Sequence, residues 1–290
     1  MSYRTFADHV ASWQSFADRG ARRDMCGQSV LGRPITALEI GPAKAQKLSI
    51  AMAGIHPIEW IGVEVLARWL EALVSNPPAD RRVLVFPLVN VDGFTRVEQD
   101  LARGARRFRR GNANRVDLNR NFPTHFKKLS IVKRMLPWTF RRGSAPLSEP
   151  ETRAVADRID RAIRQGATDL RAISMHSFGA KVLYPYGGVW RKAQDHKALR
   201  SHAETLARRA GYKAVQSSHW VPGFFAPGME LDHLYEAFGA TALLVECSRG
   251  GFSARRPSTW LSPFQWFNPP DPRPTVDALL PALQEFLLPA

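Results

Sequence analysis

Five short apolar runs stand out along the chain, at Ile35–Ile40, Leu48–Ala53, Val83–Val89, Leu170–Met175 and Thr241–Val245. Runs of this length, bounded by polar or turn-forming residues, predict strands buried on both faces. Between several of them the apolar positions change to helical spacing, as in Glu59–Leu73. Ser148-Glu-Pro-Glu151 carries the Ser-x-x-Glu pattern of a capping box, and Val155, Ile159 and Ile163 follow on one face, so a helix is expected to start there. Further helices are expected near Asp195–Ala210 and Val276–Leu287. Strands alternating with helices predict an α/β fold with helices on both faces of the sheet, organised as a single domain over residues 1–290. No repeat or low-complexity tract interrupts it. Segment 124–147 is the one long irregular stretch, and loops of that length often serve as lids or binding loops.

Composition narrows the class. With 290 residues, 44% of them hydrophobic, the chain can bury a full core. No run of about 18 apolar residues predicts a membrane span, and Arg4 and Asp8 fall where a signal peptide would carry its apolar stretch, so a cytoplasmic protein is expected. Cys26 and Cys247 are too few for a disulfide framework and too far apart in sequence for a thiol-metal motif. Both are expected to be buried thiols, which suits a reducing compartment.

The formal net charge of +15 is concentrated. Thirteen of the 41 Lys and Arg but only one of the 26 acids, Asp117, lie between Arg103 and Arg142, leaving a net of +3 elsewhere. Such a region reads first as a solvated loop face and next as an anion-attracting rim beside a cleft. Membrane-surface contact is a weaker reading, motivated by Trp138 and Phe140 among the cations of the insertion, where Pro137 interrupts any long helix. No nucleic-acid partner is expected. The oligomeric state is open.

Candidate chemistry lies at strand ends. The run Leu48–Ala53 leads into Gly54-Ile-His56-Pro-Ile-Glu59, placing a histidine and a carboxylate three residues apart between a strand and a helix. With a second, distant histidine such a pair makes a three-ligand zinc site that keeps a fourth position open. His176 closes another strand-like run, where taken alone it reads first as a core histidine with backbone partners and second as a third ligand. Glu246 ends Thr241–Val245, and an apolar strand that carries a carboxylate inward demands either a cationic partner or a chemical role.

Six blocks then occur in the order found in the M14 zinc carboxypeptidases, which the chain resembles over about residues 30 to 255. They are His56-Pro-Ile-Glu59-Trp60, Asn90-Val-Asp-Gly93, Asp117-Leu-Asn-Arg-Asn-Phe-Pro123, Ser148-Glu-Pro-Glu-Thr152, His176-Ser-Phe-Gly179 with Leu183-Tyr-Pro-Tyr-Gly187, and Val245-Glu246. The resemblance implies a mixed, mostly parallel sheet, one Zn2+ per chain and a peptide or peptide-like substrate; the anion-attracting reading of the basic region, from charge alone, would suit an anionic one. The resemblance further implies that His56, Glu59 and His176 are the metal ligands and Glu246 the general base. By the same resemblance Asn119 and Arg120 grip the substrate's terminal carboxylate, and Arg109 polarises the scissile carbonyl, with Arg106, Arg107 and Arg110 crowding that alignment. The pocket-closing tyrosine of the family falls on Phe224, which lacks the hydroxyl. Glu230 falls near the positions lining the specificity pocket, where it would favour a cationic side chain; a surface salt bridge is the other reading. The implied activity is release of a C-terminal residue. Murein peptide amidases share most of these blocks, so cleavage of a cell-wall peptide amide is the close alternative, with deacylation of a small amino acid and a noncatalytic anion-binding module behind it.

Overall fold

Strands that are apolar at every position must be covered on both faces, which only the interior of a sheet layered with helices provides. A computed structural model, describing residues 3–127, 141–221 and 223–289, places the five apolar runs in one eight-stranded sheet. In chain order the strands are β1 (Arg22–Gln28), β2 (Pro34–Ile40), β3 (Lys47–Ala53), β4 (Arg81–Phe86), β5 (Asp169–His176), β6 (Lys181–Tyr184), β7 (Lys213–Gln216) and β8 (Thr241–Glu246). Across the sheet they run β1-β2-β4-β3-β5-β8-β6-β7. The central four, β4, β3, β5 and β8, are parallel, whereas β1 and β2 form an antiparallel edge and β6 runs antiparallel to β8. The sheet is mixed and mostly parallel at its centre, as the resemblance implied.

The helices are α1 (Phe6–Asp18), α2 (Trp60–Ser75), α3 (Val91–Ala102), α4 (Pro150–Arg164), α5 (His196–Ala210), α6 (Glu230–Glu236), α7 (Pro263–Phe267) and α8 (Arg273–Leu287). Successive strand residues face opposite sides, and the core divides accordingly. Ala51, Val85, Ile173 and Val245 pack with Leu70 of α2, Leu206 of α5 and Leu283 of α8. Their neighbours Ile50, Leu84, Ala172 and Leu244 pack with Ile159 of α4 and Leu234 of α6. Burying each of the Val, Leu and Ile side chains among them contributes about 1.5–3 kcal/mol.

Three expectations shift. The run Val83–Val89 becomes a strand over Arg81–Phe86, because Pro87 cannot donate to a ladder. Its first two residues join despite their charge, since Arg82 donates to Ala45 O and Ala162 O, and Arg81 pairs with Asp169. The capping box at Ser148 is displaced: Glu149 is the N-cap of α4 without a side-chain capping bond, and Pro150 occupies the first turn, where no N–H is needed. The Ser148 hydroxyl donates instead to Glu149 Oε1. Strands β1, β6 and β7 lack an apolar run as long as the others, the first being a half-exposed edge and the other two only four residues each. Most of the 124–147 stretch, with Pro137, Trp138 and Phe140, lies outside the described residues. Cys26 is half-buried and Cys247 buried, both as free thiols. Among the described residues no helix is long and apolar enough to cross a membrane.

Candidate metal centre and substrate cavity

The carboxyl ends of parallel strands form one edge where chain turns leave room for ligands. In register, Ala53 of β3 lies opposite Met175, and His176 of β5 opposite Glu246 of β8. After β3, Gly54 takes a positive φ of +67°, turning residues 55–59 across that edge before α2 begins. A side chain there would also collide with the Leu88 side chain. The turn carries His56 and Glu59 to His176.

These three side chains are buried together, their ligand atoms all within 4.8 Å of one another. His56 Nδ1 lies 2.8 Å from Glu59 Oε1, His176 Nδ1 3.0 Å from Glu59 Oε2, and the two ring nitrogens 3.1 Å apart. The opposite ring nitrogens are engaged from behind. His56 Nε2 meets Asp117 Oδ1 at 3.1 Å, while His176 Nε2 meets Glu230 Oε1 at 2.7 Å and Ser174 Oγ at 3.1 Å. A carboxylate behind each imidazole fixes the tautomer that turns Nδ1 inward. Two inward nitrogens and a carboxylate, buried and with outer partners in place, fit a divalent cation of zinc's preference.

The electrostatics agree. Burial alone would lower the His176 pKa, but the carboxylates of Glu230 and Glu59 outweigh it and raise it well above the ordinary histidine value. Burial would raise Glu59, yet the His56 and His176 rings hold it below the usual carboxylate range. A metal ion bound at this point would take the place of ring protons, since bound imidazole must be deprotonated. Burial pushes the Glu246 carboxyl up to about 8, and the negative charge of Glu59 adds to the shift. Asp117 goes the other way, as Arg110, His56 and Arg120 overcome its burial.

A cavity of about 430 Å³ opens onto this centre, lined among others by His56, Glu59, Arg110, Asn119, Arg120, Phe224 and Glu246. Asn119 accepts from Glu230 N and, through its own N–H, donates to Asp117 Oδ1, while the Arg120 guanidinium bonds Asn119 O. Phe224 stands on the cavity wall without a hydroxyl.

Two expected site residues are placed elsewhere. Arg109 does not line the cavity: it forks onto Asp100, with Nη2 at 3.1 Å from Oδ1 and Nε on Oδ2. Its neighbour Arg110 faces the centre, donating from Nε to Asp117 Oδ2 at 2.7 Å. Alternate residues of an extended segment face opposite sides, so a one-residue offset exchanges their surroundings. Glu230 is fully buried behind His176, neither on the cavity wall nor in a surface salt bridge. Asp117 is the partner that sequence reasoning left without a role; its signal was its place at the head of the Asp-Leu-Asn-Arg block.

Comparisons with known proteins fit this centre. The model of the zinc carboxypeptidase family, peptidase M14, matches residues 13–250. Bovine carboxypeptidase O is 29% identical over 229 residues, covering 74% of this chain and 58% of that protein. The chain thus spans little more than half the length of the curated relatives it matches. Bovine thrombin-activatable fibrinolysis inhibitor, solved with tick carboxypeptidase inhibitor, shares the fold at a TM-score of 0.76, with 22% identity over 98% of this chain and 96% of that one. Murein-tripeptide amidase MpaA from Escherichia coli O157 shares it at 0.54, with 23% identity over 92% and 96%.

Proposed function

The chain belongs to the M14 family of zinc carboxypeptidases, and from that premise we propose that it hydrolyses a peptide amide bond to release a C-terminal residue. The observation that carries this reading is the convergence, in one cavity, of the His56–Glu59–His176 donor set with Glu246, Arg110 and Arg120. His56, Glu59 and His176 would hold one zinc ion per chain, which when bound would supply Lewis-acid polarisation of water and of the carbonyl oxygen.

The chain's own residues do the rest. Glu246, whose carboxylate lines the cavity beside the donor set, takes a proton from the attacking water and passes it to the leaving amine nitrogen. Arg110 takes the part first expected of Arg109, facing the negative charge that develops on the carbonyl oxygen. Its pairing with Asp117 holds it in place before substrate arrives. Asn119 and Arg120 receive the terminal carboxylate, for which a guanidinium offers two parallel donors. Asp117 and Glu230 keep the two imidazoles oriented.

Paired kinetics on one peptide, as free acid and as C-terminal amide, test the reading. Facing a neutral amide, buried Arg120 loses its charge-assisted partner, at a cost of about 3 kcal/mol or more, so kcat/KM should fall at least about a hundredfold. Arg120→Ala should abolish that discrimination. Phe224, without the family hydroxyl, favours one second reading: cleavage of an amide within a peptide, such as a cell-wall peptide, with Arg120 receiving a side-chain or downstream carboxylate. Equal rates on acid and amide would remove the carboxypeptidase reading and leave the amidase one.

A further inference from the structure

One cation on the cavity wall has no part in the chemistry above. Strand β6 runs antiparallel to β8 with Lys181 opposite Glu246 and Leu183 opposite Leu244. Lys181 and Leu183, two residues apart, therefore face the same side of the sheet, and all four residues line the cavity. The Lys181 ammonium lies 5.2 Å over the Trp220 ring and donates one hydrogen bond, of 3.2 Å, to Gly179 O. Among the described residues it forms no ion pair with a carboxylate, although an ammonium carries three donors.

The surroundings explain where a partner would come from. A Cβ added at Gly179 would lie 3.0 Å from the Trp220 ring and 3.6 Å from Glu246 Cβ, so Lys181, Trp220 and Glu246 border one patch of wall. Beyond it the wall is apolar, with Leu183, Ala226, Met229 and Leu244. Glu230, the acid that would have drawn a cationic side chain, is turned onto His176. The side-chain space thus combines room for methylenes with an ammonium held against an indole face.

We propose that Lys181 is a specificity determinant that pairs with an acidic side chain on the departing residue. The inference rests on the C-terminal reading of this cavity. A glutamate-like side chain lays its methylenes along Leu183 and Leu244 and presents its carboxylate to the free donors of Lys181. Trp220 holds the ammonium by cation–π attraction while leaving those donors available.

Matched free-acid peptides ending in Glu or Gln, which differ in charge and scarcely in shape, supply the test with zinc-loaded protein. The parent should prefer Glu in kcat/KM by about tenfold or more, the size of a charged hydrogen bond. Lys181→Met should bring that ratio to about one, Lys181→Arg should keep it, and Lys181→Glu should turn preference toward Lys over Gln. Calorimetric binding of free glutamate and free glutamine to parent and Lys181→Met provides a readout without turnover. A Glu-to-Gln ratio of one or below in the parent, or a ratio unchanged in Lys181→Met, overturns the proposal. So does equal binding of the two amino acids where neither peptide is cut. Preferential glutamate binding that Lys181→Met abolishes, without hydrolysis of any free-acid peptide, would instead overturn the C-terminal reading and support the recognition.

Discussion

Glu246 and Glu230 are both acids within reach of His176's surroundings, yet different neighbours give them different work. Glu230 Oε1 meets the ring at 2.7 Å and is fully buried, so it is held behind His176. Glu246 ends β8 facing the cavity, with its carboxyl pushed up to about 8 by burial and by Glu59. Glu246→Gln keeps shape and removes the proton acceptor, so metal content should stay near that of the parent while kcat falls about 10² to 10⁴-fold. Metal analysis and kinetics on the same preparation check this; a variant within a few-fold of the parent would show that Glu246 is not the base. His56, Glu59, His176 and Glu246 were legible because each ends or follows an apolar run, a position strand periodicity marks. Arg109 against Arg110 was not. Residues 103–110 carry five arginines with no periodic pattern, and which one faces the cavity depends on Asp100 and Asp117 arriving from other elements.

At the scale of elements, the separation of the ligands depends on how closely α2 lies against β5. Gly62 lies in the first turn of α2, and a Cβ there would be 2.9 Å from Met175 O and 3.0 Å from Met175 Cβ. Glu59 precedes that turn and His176 follows Met175, so the bare backbone contact brings the two ligands together. Gly62→Ala gains up to about 1 kcal/mol of helix propensity but overpacks the contact at a cost of about 1–3 kcal/mol. The second effect should win, lowering stability by about 1 kcal/mol and weakening zinc binding. Denaturant titration and competition with a chelator measure both. A variant more stable than the parent with unchanged zinc affinity would show that this contact does not set the ligand spacing. Helical spacing over 59–73 made α2 legible, but nothing in the apolar pattern says that Gly62 faces a strand rather than another helix.

For the molecule as a whole, the proposed ligands come from two distant stretches, the 54–59 turn and the end of β5, so a bound ion would tie together parts of the chain far apart in sequence. Elemental analysis should find one zinc per chain, and His56→Ala should abolish it. If zinc binds the assembled site and not the unfolded chain, saturation at 1,000 times Kd would add about 4 kcal/mol, and chelation should lower Tm. A Tm indifferent to chelator in protein shown to lose its zinc would argue against a site shared by the two stretches. The layered α/β architecture, the helix stretches and the strand-end donors followed from the order of residues alone, because apolar periodicity and burial act locally and leave a trace at each position. The partners behind the histidines, the choice of Arg110, the withdrawal of Glu230 from the cavity and the exposure of Lys181 to it were decided only in three dimensions. Each depends on which side chain from a remote segment reaches a given atom first, a matter of packing geometry and charge pairing that no local pattern encodes.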